Sequence, residues 1–156
     1  MVFNYCPASI YLMVAIIAPG AIIKGITQMR IFKTRLFAKW AFKENVNDEL
    51  LRQAVREIEQ GFIEADLGGY VYKKRIALKG HGKRGGARSI IAYKAASRTF
   101  FIFGYAKNER SNMTTEERKI AKTLAAELLS YSAEQLKKLV KDGKLMEVEY
   151  HAQKLN

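Results

Sequence analysis

Between Tyr70 and Lys107 the sequence holds three runs rich in β-branched and aromatic residues: "YVYKKRIAL", "ARSIIAYKA" and "TFFIFGYAK". The loop 80–86 joins the first two, and a tight hairpin around Ser97 joins the last two. Parallel strands need a crossover of a dozen or more residues, so connections this short force an antiparallel three-strand meander. In the first run, alternation places Tyr70, Tyr72, Ile76 and Leu78 on one side. Val71, Lys73, Arg75, Ala77 and Lys79 fall on the other.

Helical patterns flank this meander. "MRIFKT" reads as a short first strand, after which Thr34 caps "RLFAKWAFKE", with Leu36, Phe37, Trp40 and Ala41 on one face. Asn47 is the next N-cap, and Asp48 and Glu49 suit the positive end of the helix dipole. Leu51, Ala54, Val55, Ile58 and Phe62 follow amphipathic spacing, and Gly61 is a C-terminal stop. The two helices are antiparallel and joined at 44–46. Further on, Thr114-x-x-Glu117 is a capping-box signature, with Ile120, Leu124 and Leu128 as the buried face. Ser132-x-x-Gln135 opens a shorter helix carrying Leu136, Leu139 and Val140, Gly143 ends it, and "KLMEVEY" is a last strand. The expected fold class is α+β: a small antiparallel β-sheet with helices packed on one face.

At 156 residues, 49% of them hydrophobic, the chain supports one domain with a real core. Its net charge of +12 is unevenly spread: residues 44–66 carry −5 and residues 67–110 carry +10. No Asp or Glu occurs between Asp66 and Glu109. Clustered cationic excess points to a polyanion, most often nucleic acid; a solvated basic face kept for solubility is the plainer alternative. Cys6 is the only cysteine, which excludes an internal disulfide framework and a Cys-rich zinc site. His81 and His151 are the only histidines, and neither sits in a metal-ligand spacing. A reducing, cytoplasmic setting fits.

Residues 1–23 carry no charge, both prolines (Pro7 and Pro19) lie among them, and no proline occurs from Met29 onward. A membrane span needs about 20 apolar residues, and the run 10–18 is shorter and broken by Pro19-Gly20. A secretory signal needs a positive n-region, which residues 1–9 lack. The preferred reading is a non-domain N-terminal extension over 1–28, arising from a start codon set too far upstream. Met29 is then the natural first residue, 29–156 is the folded domain, and no stable membrane association is expected.

The loop "GHGKRGG" is no P-loop, since it lacks GxxxxGK[ST], yet its glycines let backbone N–H groups approach a phosphate. Lys83, Arg84 and Arg88 add charge to it. Lys73, Arg75 and Lys79 share one strand face, and Lys107 and Arg110 follow the last strand. A meander can bring these three places together on one sheet face. Tyr93 and Tyr105 offer stacking surfaces for unpaired bases, or else serve as core residues. His81 titrates near neutrality without perturbation, so it is a candidate acid or base; a solvent-exposed loop histidine is the bland alternative.

These residues carry a resemblance. Residues 29–130, with "ADLGG" (65–69), "KGHGKRGGARSIIAY" (79–93) and "FGYAKNERSN" (103–112), resemble the RelE/HigB-type toxins of bacterial toxin–antitoxin pairs. The tail from Ser132 through "DGKLMEVEY" resembles longer members of that group. The resemblance implies a RelE-like toxin domain that cleaves mRNA on the ribosome without a metal or other cofactor. It also implies a cognate antitoxin, a small helix-turn-helix protein. Arg88 then holds the phosphate, with Lys107 and Arg110 as the second basic cluster. Lys73, Arg75 and Lys79 bind phosphate or transfer a proton, and Tyr105 orients the 2′-OH. Two other readings stand beside this one: a non-enzymatic toxin that blocks a protein target such as DNA gyrase, and a non-catalytic RNA-binding module.

Overall fold

Every strand and helix expected between Met29 and Val148 is present in the computed structural model, which describes residues 29–80 and 85–149. The order is β1 (Arg30–Thr34), α1 (Arg35–Lys43), α2 (Asp48–Glu59), β2 (Ala65–Gly68), β3 (Val71–Leu78), β4 (Gly86–Lys94), β5 (Arg98–Ala106), α3 (Thr115–Ser130), α4 (Ala133–Lys141) and β6 (Leu145–Val148). The extension expected over 1–28 lies outside the described residues, as do His81, Lys83 and Arg84. No described helix is long and apolar enough to cross a membrane.

The six strands form one sheet in the order β2-β3-β4-β5-β1-β6. The α+β class holds, and the arrangement differs from expectation in two details. First, the sheet is mixed: β1 runs parallel to β5, with Ile31 beside Thr99, and β6 runs antiparallel to β1. Two helices and three further strands separate β1 from β5 along the chain, so nothing local imposes the hairpin sense. Second, helices cover both faces of the sheet, not one. The cause lies in β4 and β5, which are buried along nearly their whole length on both sides and therefore need two covers. Phe37, Leu51, Val55 and Ile58 of α1 and α2 pack on Ile31, Ile91 and Phe101. Ala121, Ala125, Leu128 and Leu136 of α3 and α4 pack on Phe32, Ile90, Phe100 and Ile102 on the opposite face. Phe32 and Phe100 stack at 5.1 Å between centroids, and Phe37 tilts on Phe101 at 5.1 Å. Each such phenyl ring contributes about 1.5–3 kcal/mol through burial.

The helix starts follow their caps. The Thr34 hydroxyl accepts from Phe37 N at 3.1 Å, and Asn47 Oδ1 accepts from Leu50 N at 3.0 Å. Thr114 and Ser132 each close a reciprocal capping box, with Glu117 and Gln135. The buried face of α3 is rotated from the expected one. Ala121, Ala125 and Leu128 face the sheet, Leu124 is half-buried, and Ile120 is 64% exposed. The alanines let the helix axis approach the sheet more closely than the isoleucine would. Leu36 and Phe62, expected on buried faces, are also exposed. The short β2 had no strand signal beyond "ADLGG". It folds back through Gly68, Gly69 and Tyr70, at φ of 81°, 62° and 63°.

One irregularity sets up the site. β4 and β5 pair antiparallel, with Ile90 opposite Phe103 but Ile91 opposite Phe101, so Ile102 is one residue too many on β5. Before the bulge Phe100 faces α3 and Phe101 faces α1; after it Gly104 lies under Trp40 and Tyr105 faces α3. Strict alternation from Phe101 would have sent Tyr105 to the α1 side. The extra residue returns it to the face that carries Arg88.

Candidate functional site

The α3 face of the meander gathers cations around a buried tyrosine. Arg75 on β3 stands opposite Arg88 on β4, and Arg88 stands opposite Tyr105 on β5. Directly opposed residues of an antiparallel pair share a face, so all three project to the same side. Lys73, opposite Ile90, joins them and donates to Asn112 Oδ1 at 3.2 Å. Arg110, just past β5, lays its guanidinium over the Tyr105 ring at 4.7 Å from the centroid and ion-pairs with Glu117 at 2.6 Å.

Arg88 is only 4% exposed, and a buried charge needs a counter-charge. Glu64, on the connection from α2 to β2, supplies it. Its Oε2 lies 2.7 Å from Arg88 Nε, an ion pair without the alignment of a hydrogen bond, and its Oε1 lies 3.3 Å from Arg75 Nε. Arg88 Nη1 also donates to the Ala87 carbonyl at 3.4 Å. One carboxylate thus bridges two arginines, leaving guanidinium N–H groups over for an oxyanion.

Tyr105 is 2% exposed, yet its Oη has no hydrogen-bond partner among the described residues. Burial pushes its pKa above the ordinary tyrosine value. Glu64 pushes the same way, and the positive charges of Arg110 and Arg88 oppose it. The group is therefore a neutral phenol at physiological pH, held with an unused donor and acceptor among arginines. Native structures rarely leave such a group unpaired, and a catalytic role is one of the reasons for those that do. The Glu117 carboxyl sits below its ordinary range because Arg110, first, and the Thr114 amide bind the charged form.

The fold thus brings together Lys73, Arg75, Arg88, Tyr105 and Arg110. Lys107 is exposed on the turn after β5, its amide donating to Gly86 O at 3.1 Å. Lys79 stands apart, lining a cavity of about 220 Å³ with Lys43, Glu44, Asn45 and Asn108 beside α1. Tyr93 does not join the group either. It makes an edge contact with Tyr72 at 6.1 Å and packs on the α1–α2 side. The Tyr105 ring is covered by Arg110, so it offers no open stacking surface. Lys74, between the two site cations on β3, points to the opposite face and pairs with Glu57. Sequence reasoning missed Glu64 and Asn112 as members of this group. Glu117 it found only as a cap.

A family model described as the RelE toxin of the RelE/RelB toxin–antitoxin system matches residues 29–148. That span includes every described strand and helix and all of the residues gathered around Arg88. The chain belongs to the RelE toxin family and is the toxin component of a toxin–antitoxin system, whose counterpart is an antitoxin.

Proposed function

We propose that the toxin is an endoribonuclease acting on mRNA engaged by the ribosome, in the cytoplasm, and that a small helix-turn-helix antitoxin silences it. The observation that carries this reading is the facing pair of Arg88 and Tyr105. One is a buried cation held by a carboxylate; the other is a buried phenol with no hydrogen-bond partner among the described residues. Arg75, Lys73 and Arg110 surround them.

In this reaction the ribose 2′-oxygen attacks the adjacent phosphorus. The new O2′–P bond forms as the P–O5′ bond breaks, leaving a 2′,3′-cyclic phosphate and a free 5′-OH. A base takes the 2′-OH proton and an acid protonates the departing O5′. Arg88 and Arg75 hold the non-bridging oxygens and stabilise the crowded phosphorane; removing one such donor typically costs about 3–4 kcal/mol of barrier lowering. Tyr105, neutral through its raised pKa, donates to or accepts from the 2′-OH and fixes its direction. Arg110 adds charge and holds the phenol ring. His81 is the candidate acid or base, and Lys79, Lys83, Arg84 and Lys107 bind flanking phosphates, in the same reading.

The test is direct. The toxin is added to translating ribosomes with a defined message, and the ends are mapped by primer extension. Cuts that need ribosomes and vanish with Arg88→Ala support the reading. A folded, toxic protein that cuts nothing overturns it in favour of a blocked protein target or a non-catalytic RNA binder.

A further inference from the structure

A cavity of about 620 Å³ opens at the edge of the sheet, where the α2–β2 connection passes β3. It adjoins the arginine cluster, because Arg75 and Glu64 belong to both. Its volume falls in the range of small-molecule sites, roughly 300–1,000 Å³.

Its chemistry differs from that of the cluster beside it. Its lining holds two cations, Lys74 and Arg75, and two carboxylates, Glu57 and Glu64, the latter shared with Arg88 behind it, so the cavity walls carry no excess of positive charge. A second phosphate gains little there. The remaining wall is Phe62, 62% exposed, together with Ile63 and Gln60. An open aromatic ring, an aliphatic neighbour and an amide carrying both a donor and an acceptor suit a flat, neutral heterocycle with hydrogen-bonding edges. Base–aromatic stacking and amide readout of the adenine N6/N7 edge are the ordinary means of holding one. A neutral heterocycle joined to a phosphate is a nucleotide.

We infer that this cavity is a purine pocket, which seats the base next to the phosphate held by Arg75 and Arg88, with adenine preferred through Gln60. The inference rests on the proposed RNA substrate and goes beyond it by assigning base selectivity to residues 60–64. Phe62 stacks on the base, Gln60 reads its edge, and the Arg75–Glu64 pair links the pocket to the phosphate. This assignment also gives a reason for an exposed phenylalanine that no core contact explains.

The full chain is titrated calorimetrically with four dinucleotides whose first sugar is 2′-deoxy and so cannot be cleaved, each carrying a different base. Wild type is expected to bind the adenine ligand about tenfold tighter than the pyrimidine ligands, with guanine between. Phe62→Ala, at an exposed position where circular dichroism checks the fold, brings all four to the pyrimidine level. Gln60→Ala equalises adenine and guanine while both stay ahead of the pyrimidines. Equal affinity for all four in wild type overturns the inference. So does a preference that survives Phe62→Ala, or a Phe62→Ala protein whose only loss is antitoxin binding, which makes the cavity a protein-docking face. A Phe62-dependent preference in a protein that cuts no message keeps the pocket and removes the nuclease reading. Cutting without any such preference does the reverse.

Discussion

Arg88 and Tyr105 face one another across the β4–β5 ladder because Ile102 is surplus to the register. The buried phenol gains no hydrogen bond from the described residues, and an unsatisfied buried polar group costs about 1–3 kcal/mol. Tyr105→Phe is therefore expected to raise the urea midpoint. At the same time it lowers message cleavage by about 100-fold or more, as loss of a proton-handling group does. A destabilised Phe variant would mean that the hydroxyl has a partner in the folded state. Unchanged cleavage would remove Tyr105 from the reaction.

Glu64 is the counter-charge of a buried arginine, and its absence leaves that charge uncompensated. Glu64→Ala is expected to cost about 3–5 kcal/mol in urea unfolding. Nearly all of this comes from Arg88, because Arg75 is about half exposed and its pair contributes about 0–1 kcal/mol. The double variant Glu64→Leu with Arg88→Met should recover most of the loss, since apolar groups of similar volume replace both charges, while cleavage stays absent. A mild Glu64→Ala effect would show that water reaches Arg88.

Gly104 is fixed by its neighbour. A Cβ placed there would lie 2.4 Å from two ring carbons of Trp40. Gly104→Ala forces the indole or the strand to move, at a cost of about 1–3 kcal/mol. Trp40 is the only tryptophan, so its fluorescence reports the displacement without labelling. An unshifted spectrum at unchanged stability would mean that the indole packs elsewhere.

Glu117 links the site to the start of α3. Its carboxyl is held below the ordinary 4.5, chiefly by Arg110 and then by the Thr114 amide. A depressed carboxyl favours the folded state fully above its ordinary value, and that contribution disappears as pH falls through the lowered value. Glu117→Gln keeps a capping-box side chain but loses the charge. Wild type should exceed this variant in stability by a constant margin near neutrality, and the two should converge in acid below pH 4.5. A margin that persists in acid would mean that the glutamate acts through packing, not charge.

The meander was legible because its connections are too short for any other pairing, and the caps at Thr34, Asn47, Thr114 and Ser132 were legible because capping chemistry is local. The parallel pairing of β1 with β5 was not, since two helices and three strands separate the two in sequence and no local signal sets their sense. Alternation placed Lys73 and Arg75 on one face with nothing more than residue parity. The same parity fails beyond Ile102, because no residue type announces a bulge within "TFFIFGY". Tyr93 and Tyr105 look equivalent as letters and lie on opposite faces of the sheet. Glu64 stands near the end of an acidic block, and nothing in the sequence hints that it turns toward Arg75 and Arg88. Lys79 shares the parity of Lys73 and Arg75 but sits past the end of β3, where the strand no longer dictates direction.

Among the described strands, the one made first and the one made last lie side by side: Ile31 pairs with Val148. While the chain is being synthesised, β1 keeps one edge bare until β6 has left the exit tunnel, and β5, which carries Tyr105, is braced through β1. A chain cut short before Leu145 therefore leaves that edge of β1 open, and with it the brace behind the strand that carries Tyr105.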